Sequence, residues 1–124
     1  MPDSYHVEQV NIDNRFSHLD CVLLTPREGV AIACLEEFPY GLPAYLKDWD
    51  IIDMLFEITK AHMGCNNLTL NDHSVVIPSG EIHDPLEKQL KARKFEVTRL
   101  PYESVYWVGD SFRCAHQPLI RIKV

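Results

Sequence analysis

Apolar positions along the chain fall into short runs, separated by turn residues, that recur in one order. Ser17 to Leu24 is apolar on both sides and reads as a buried strand, Pro26-Arg27-Glu28-Gly29 as a turn, and Val30 to Cys34 as a second strand, so that the three form a hairpin. Pro39-Tyr40-Gly41-Leu42-Pro43 leads into a short helical stretch through Tyr45 and Leu46, and the isoleucine-rich run from Trp49 to Met54 returns as a strand. A linking helix from about Phe56 to Met63 is stopped by Gly64. The order then repeats: Asn67 to Leu70 and Ser74 to Ile77 form a hairpin about Asn71-Asp72-His73, Asp84-Pro85 opens a helix, and Phe95 to Leu100 is a strand.

Both passages therefore read as a ββαβ unit, with matching strands about 45 residues apart, a spacing typical of repeat architectures. A unit of this size does not bury its own apolar face and needs neighbours or ring closure. Tyr5 to Ile12 reads as the last strand of a preceding unit, and Cys114 to Lys123 as the first strand of a following one. The expected fold class is α/β, with residues 1–124 forming a single domain of about two ββαβ modules plus flanking strands.

Composition narrows the function classes. Eighteen acidic against twelve basic residues give a net charge of −6, and no Lys/Arg cluster supplies the footprint of a nucleic-acid or anionic-membrane binder. A cationic small substrate suits that balance, and the expectation is no nucleic acid and no membrane. Four cysteines, none in a C-x-x-C pair, together with the absence of a signal-like or long apolar run, predict reduced thiols in a cytoplasmic location.

Two islands carry the chemistry: Ser17-His18-Leu19-Asp20-Cys21 and Gly109-Asp110-Ser111-Phe112-Arg113-Cys114-Ala115-His116. A thiol attacks as thiolate, and a nearby cation or histidine raises the thiolate fraction, so Cys114 beside Arg113 is the candidate nucleophile. On a strand, residues two apart share a face, which would set His18 and Asp20 toward one cavity and turn Leu19 and Cys21 to the other. Cys21, Cys34 and Cys65 read as small core residues. His62, His73, His83 and His116 read as surface or turn histidines, Trp49, Trp107, Phe56 and Tyr106 as core or interface aromatics, and Glu36-Glu37 and the charges from Lys88 to Lys94 as solvated faces. A zinc site from Cys114, His116, His18 and Asp20 is a weaker alternative on motif specificity, and no metal or cofactor is expected.

The order HLDCVLL, PREG, the NNLTL and VVI hairpin, and GDSFRCAHQPLIR resembles the C-terminal half of the guanidino-group-modifying superfamily of amidinotransferases, arginine deiminases and dimethylargininases. The resemblance runs from about Tyr5 to Arg121. It implies a propeller of five ββαβ modules around a central site, of which this chain would hold an incomplete part. It also implies that Cys114 and His18 are the catalytic residues and that Asp20 binds the guanidinium group of an arginine-like substrate, with an S-amidino-cysteine intermediate. Asp110 departs from the family pattern of paired glycines, and Arg113 stands where histidine often precedes the cysteine.

In the family, a carboxylate that orients the histidine and the residues that clamp the substrate carboxylate come from the N-terminal half. The chain by itself is therefore expected to be incomplete as a catalyst. Two functions follow as expectations: an amidinotransferase or guanidino hydrolase active when complemented, or a non-catalytic truncated remnant serving as a binding or assembly module. Open module edges favour a homo-oligomer or a complementary N-terminal half as partner.

Overall fold

The computed structural model describes residues 7–13, 15, 18–101 and 111. Two three-stranded sheets are built the same way. In the first, β1 (Leu23–Arg27) pairs antiparallel with β2 (Val30–Ala33), and β2 pairs parallel with β3 (Asp50–Asp53). In the second, β4 (Leu68–Asn71) pairs antiparallel with β5 (Ser74–Pro78), and β5 pairs parallel with β6 (Glu96–Leu100). A parallel return after a hairpin requires a crossover, and each unit supplies one. The first uses 3-10 turns at Leu35–Glu37 and Ala44–Leu46, and the second a 3-10 turn at Glu81–His83 followed by helix α2 (Asp84–Ala92) with Pro85 in its first turn. Helix α1 (Phe56–His62) links the units.

The repeated order is thus present, as strand, strand, crossover, strand. The two sheets are separate, and the mixed α/β architecture among the described residues is two units rather than a closed propeller. One apolar cluster joins them. Val22, Ile32 and Cys34 from the first unit lie in the same buried cluster as Val75, Ile77, Leu86 and Leu90 from the second. The central strands β2 and β5 are buried almost throughout, the burial expected where a middle strand is covered on both faces. Across the seam, the Arg27 guanidinium stacks on the Phe95 ring at 4.2 Å and donates to the Arg93 carbonyl at 3.0 Å.

Several sequence expectations are corrected. Among the described residues of the expected Ser17–Leu24 strand, regular strand structure begins only at Leu23: the carbonyls of His18 and Leu19 accept from the Cys21 and Val22 N–H groups, which winds Leu19–Cys21 into a 3-10 turn. Pro26 lies inside β1 rather than in the turn, which falls at Glu28-Gly29 with Gly29 at φ 90°. Proline fits there because β1, an edge strand among the described residues, shifts register between Leu24 and Arg27. Residues 7–12 form no strand, although Val10 and Ile12 pack on the core as alternating strand residues would. A side chain holds that segment instead, with Glu8 Oε1 accepting from the Ala44 N–H at 2.8 Å. Tyr5, and the expected strand from Cys114 to Lys123, lie outside the described residues.

Helix α1 ends one residue earlier than its glycine implied. Met63, not Gly64, takes the left-handed conformation at φ 51°, and its buried side chain holds it there. Gly64 is required by space: a Cβ at this position would lie 2.9 Å from Ile58 Cγ2 and 3.0 Å from Met54 Sδ.

Two polar residues expected at the surface are buried. His83 is 1% exposed and meets His62 edge-on at 6.0 Å between ring centres. Glu37 is fully buried and forms an ion pair with Arg15, whose guanidinium also stacks on Phe56 at 4.1 Å. Cys21, Cys34 and Cys65 are buried free thiols, as read from the sequence.

Candidate functional site

The candidate site begins at the bend where the chain enters β1. His18 is extended, at φ −134° and ψ 148°, and its exposed side chain precedes the 3-10 turn. Asp20 lies inside the turn, half-buried, and Cys21 behind it is buried in the core cluster. The Cys21 thiol lies 3.9 Å from Asp20 Oδ1 and points its proton at the carboxylate. The chain therefore offers an exposed imidazole and a half-buried carboxylate on one turn, able to exchange a proton and to receive a cation.

The simple strand alternation does not describe this bend. Leu19 is 41% exposed whereas Cys21 is buried, so the two do not share an inward face; the turn, not a pleat, sets the direction of each side chain. Cys114, His116, Arg113 and Asp110 lie outside the described residues. Of their island only Ser111 is described, and it is fully buried.

A third residue at the bend was not singled out from the sequence. The fully buried Asn66 donates from Nδ2 to the Asp20 carbonyl at 2.9 Å, across 46 residues. Its own backbone N–H bonds the Met63 carbonyl at 2.9 Å, and the neighbouring Asn67 donates from Nδ2 to the Gly64 carbonyl at 2.8 Å. Two adjacent amides at the head of a strand, following a cysteine in an otherwise apolar position, are the only sequence trace of this arrangement.

The three described cysteines are poor nucleophiles where they stand. Burial pushes the Cys65 thiol far above the ordinary range, with the neighbouring Thr59 hydroxyl only partly opposing it, and burial also raises Cys34. A thiolate at either position would lie in apolar packing with little access to a substrate.

No family model matches the chain. The amidinotransferase SxtG from Microseira wollei, of the saxitoxin biosynthetic pathway, superposes with a TM-score of 0.71 and 26% identity over 87% of this chain and 34% of that one. The chain has the fold of the guanidino-group-modifying superfamily. Two further guanidino-group enzymes match in fold at 20% identity. Inosamine-phosphate amidinotransferase StrB1 of Streptomyces griseus has a TM-score of 0.67 over 80% of this chain and 31% of its own. The cyanobacterial arginine dihydrolase ArgZ, of the ornithine-ammonia cycle, has a TM-score of 0.66 over 88% and 18%. Among sequences, the uncharacterized protein YkgA of Bacillus subtilis strain 168 is 27% identical over 118 residues, 94% of this chain and 40% of that protein. The chain thus spans less than half the length of each of these proteins. No helix among the described residues is long and apolar enough to cross a membrane.

Proposed function

We propose that the chain carries part of the active site of an amidinotransferase or guanidino hydrolase acting on an arginine-like substrate. The observation that carries this reading is the match to the amidinotransferase SxtG, at 26% identity over most of the chain. In the proposed chemistry, Asp20 receives the guanidinium and the Cys114 thiolate attacks its central carbon. The carbon–nitrogen bond to the leaving amine then breaks, and His18 supplies the proton the amine carries away. Water or an acceptor amine next gives up a proton to His18 and adds to the S-amidino carbon, and breaking the carbon–sulfur bond returns the thiolate. Water makes the reaction a hydrolysis and an amine makes it a transfer.

Burial of the other three cysteines supports the choice of Cys114, since each is packed into the core. Their free state also suits a reducing, cytoplasm-like compartment. The propeller arrangement belongs to the same proposal. Among the described residues β1, β3, β4 and β6 are edge strands of small sheets, and such edges favour pairing with further modules, whether in a second copy or in a complementary chain.

Brief alkylation of the native chain with iodoacetamide, followed by peptide mapping, tests the nucleophile; the expected result is Cys114 labelled first. An assay for citrulline, ornithine and amidino transfer from arginine or agmatine, run on the chain alone and with candidate complementary modules, tests the reaction. Labelling of Cys34 or Cys65 ahead of Cys114, together with no turnover in any combination, would leave a non-catalytic binding module as the better account.

A further inference from the structure

We infer that Asn66 is a positioning residue that sets the orientation of the turn bearing His18 and Asp20. The inference rests on the guanidino reading of that turn. Within the turn, the His18 and Leu19 carbonyls are consumed by the Cys21 and Val22 N–H groups. The next carbonyl, that of Asp20, leaves the turn as the chain straightens toward β1, and the Asn66 amide takes it at 2.9 Å. Asn66 is fully buried, so water does not replace this donor cheaply when it is removed.

The donor is held on a rigid support. Asn66 stands three residues after the left-handed Met63 and two after the tightly packed Gly64, and its backbone N–H donates to the Met63 carbonyl. Gly64 N–H in turn bonds the Ile58 carbonyl of α1 at 3.2 Å, and Asn67 closes the loop onto the Gly64 carbonyl. The amide is thus fixed to the linking helix on one side and enters β4 on the other. Through it, the loop that opens the second unit determines where the first unit presents its carboxylate.

A side chain that holds a backbone carbonyl restrains the ψ of the residue that owns it, and with it the direction of its Cβ relative to that peptide plane. For a carboxylate meant to meet a planar guanidinium in a bidentate fork, direction matters as much as distance. Removing the Asn66 donor is expected to weaken binding of a guanidino ligand by roughly tenfold, the scale of one hydrogen bond lost at a part-buried carbonyl.

The experiment uses the full chain with Asn66→Ala and the isosteric Asn66→Asp, which turns an acceptor toward the Asp20 carbonyl. Backbone amide spectra report the turn, and arginine and agmatine titrations report binding. In both variants the amides of residues 19–22 are expected to shift while those of β5 and β6 hold, and binding to weaken. A double-mutant cycle with Asp20→Asn separates positioning from general destabilisation. If Asn66 acts through Asp20, the Asn66→Ala loss largely disappears in the Asp20→Asn background, whereas a merely structural residue gives losses that add. Unmoved turn amides in Asn66→Asp, or fully additive losses, would overturn the inference. Failure of the unmodified chain to bind either probe, alone and with candidate complementary modules, would instead overturn the guanidino reading of Asp20, and the amide shifts would still decide whether Asn66 holds the turn.

Discussion

Arg93 and Asp50 form a two-point ion pair, Nε to Oδ2 at 2.6 Å and Nη2 to Oδ1 at 3.0 Å, that ties the end of α2 in the second unit to the first residue of β3 in the first. Arg93 also bonds the Gln89 carbonyl and side chain, so its fork is fixed before it meets the carboxylate. This is the polar counterpart of the apolar seam marked by Arg27 and Phe95.

Asp50→Asn is expected to lower the denaturation midpoint modestly, with a difference from the unmodified chain that shrinks at high salt, because the carboxylate is exposed to screening. Hydrogen bonding from Arg93 holds the Asp50 carboxyl below its ordinary range. The stabilisation is therefore complete above the ordinary aspartate range and is lost as pH falls through the depressed value. Denaturant melts at pH 7 in low and high salt test the first statement. A midpoint difference that is independent of salt would assign the effect to packing instead.

Arg15→Ala is expected to destabilise the chain by about 2–3 kcal/mol, somewhat less than the loss of a partner from a fully buried pair because Arg15 itself touches solvent. Glu37 would remain buried without its cation, and burial already raises its carboxyl above the ordinary range despite Arg15. Adding Glu37→Met to Arg15→Ala should recover most of the loss in a urea melt. No recovery would mean that the Arg15 stack on Phe56 carries the stability.

His83 makes the fold acid-sensitive. Burial, followed by the charges of His62 and Arg99, lowers its pKa to about 4. The unfolded chain binds the proton near pH 6.5 while the folded chain resists it, so stability is full above pH 6.5 and falls as pH drops toward 4, by up to about 3 kcal/mol. A stability profile between pH 7.5 and 5, compared with that of His83→Phe, isolates this contribution. Parallel profiles would rule His83 out as its source.

Lys94→Gly is expected to stabilise by roughly 0.5–1 kcal/mol. Lys94 is exposed and left-handed at φ 66°, where it closes α2, with its N–H on the Lys91 carbonyl and the Phe95 N–H on the Leu90 carbonyl. Glycine adopts this conformation without the Cβ penalty. A thermal melt reads the gain, and a fall in melting temperature would show that the lysine side chain contributes more than the strain costs.

The order of the strands and the two-unit repeat were legible because hydrophobic period and turn residues are local properties. Val30 to Cys34 and Ser74 to Ile77 read as buried strands and form the cores of β2 and β5. The His18 and Asp20 pair was legible as a motif, but its geometry was not. A 3-10 turn differs from a strand by which carbonyl each N–H chooses, and no side-chain pattern over three residues decides that.

What the sequence alone determined about this chain is the order of the two strand-strand-crossover-strand units, its three buried thiols and its likeness to the guanidino-group-modifying superfamily. Tertiary structure decided the rest, for a common reason: each case depends on a partner far along the chain. Glu37 is buried with Arg15 as its ion-pair partner, 22 residues away, and His83, in the turn before α2, is buried against His62. Asn66 looks like an ordinary loop amide until folding sets it against the Asp20 carbonyl, 46 residues away, to which it donates.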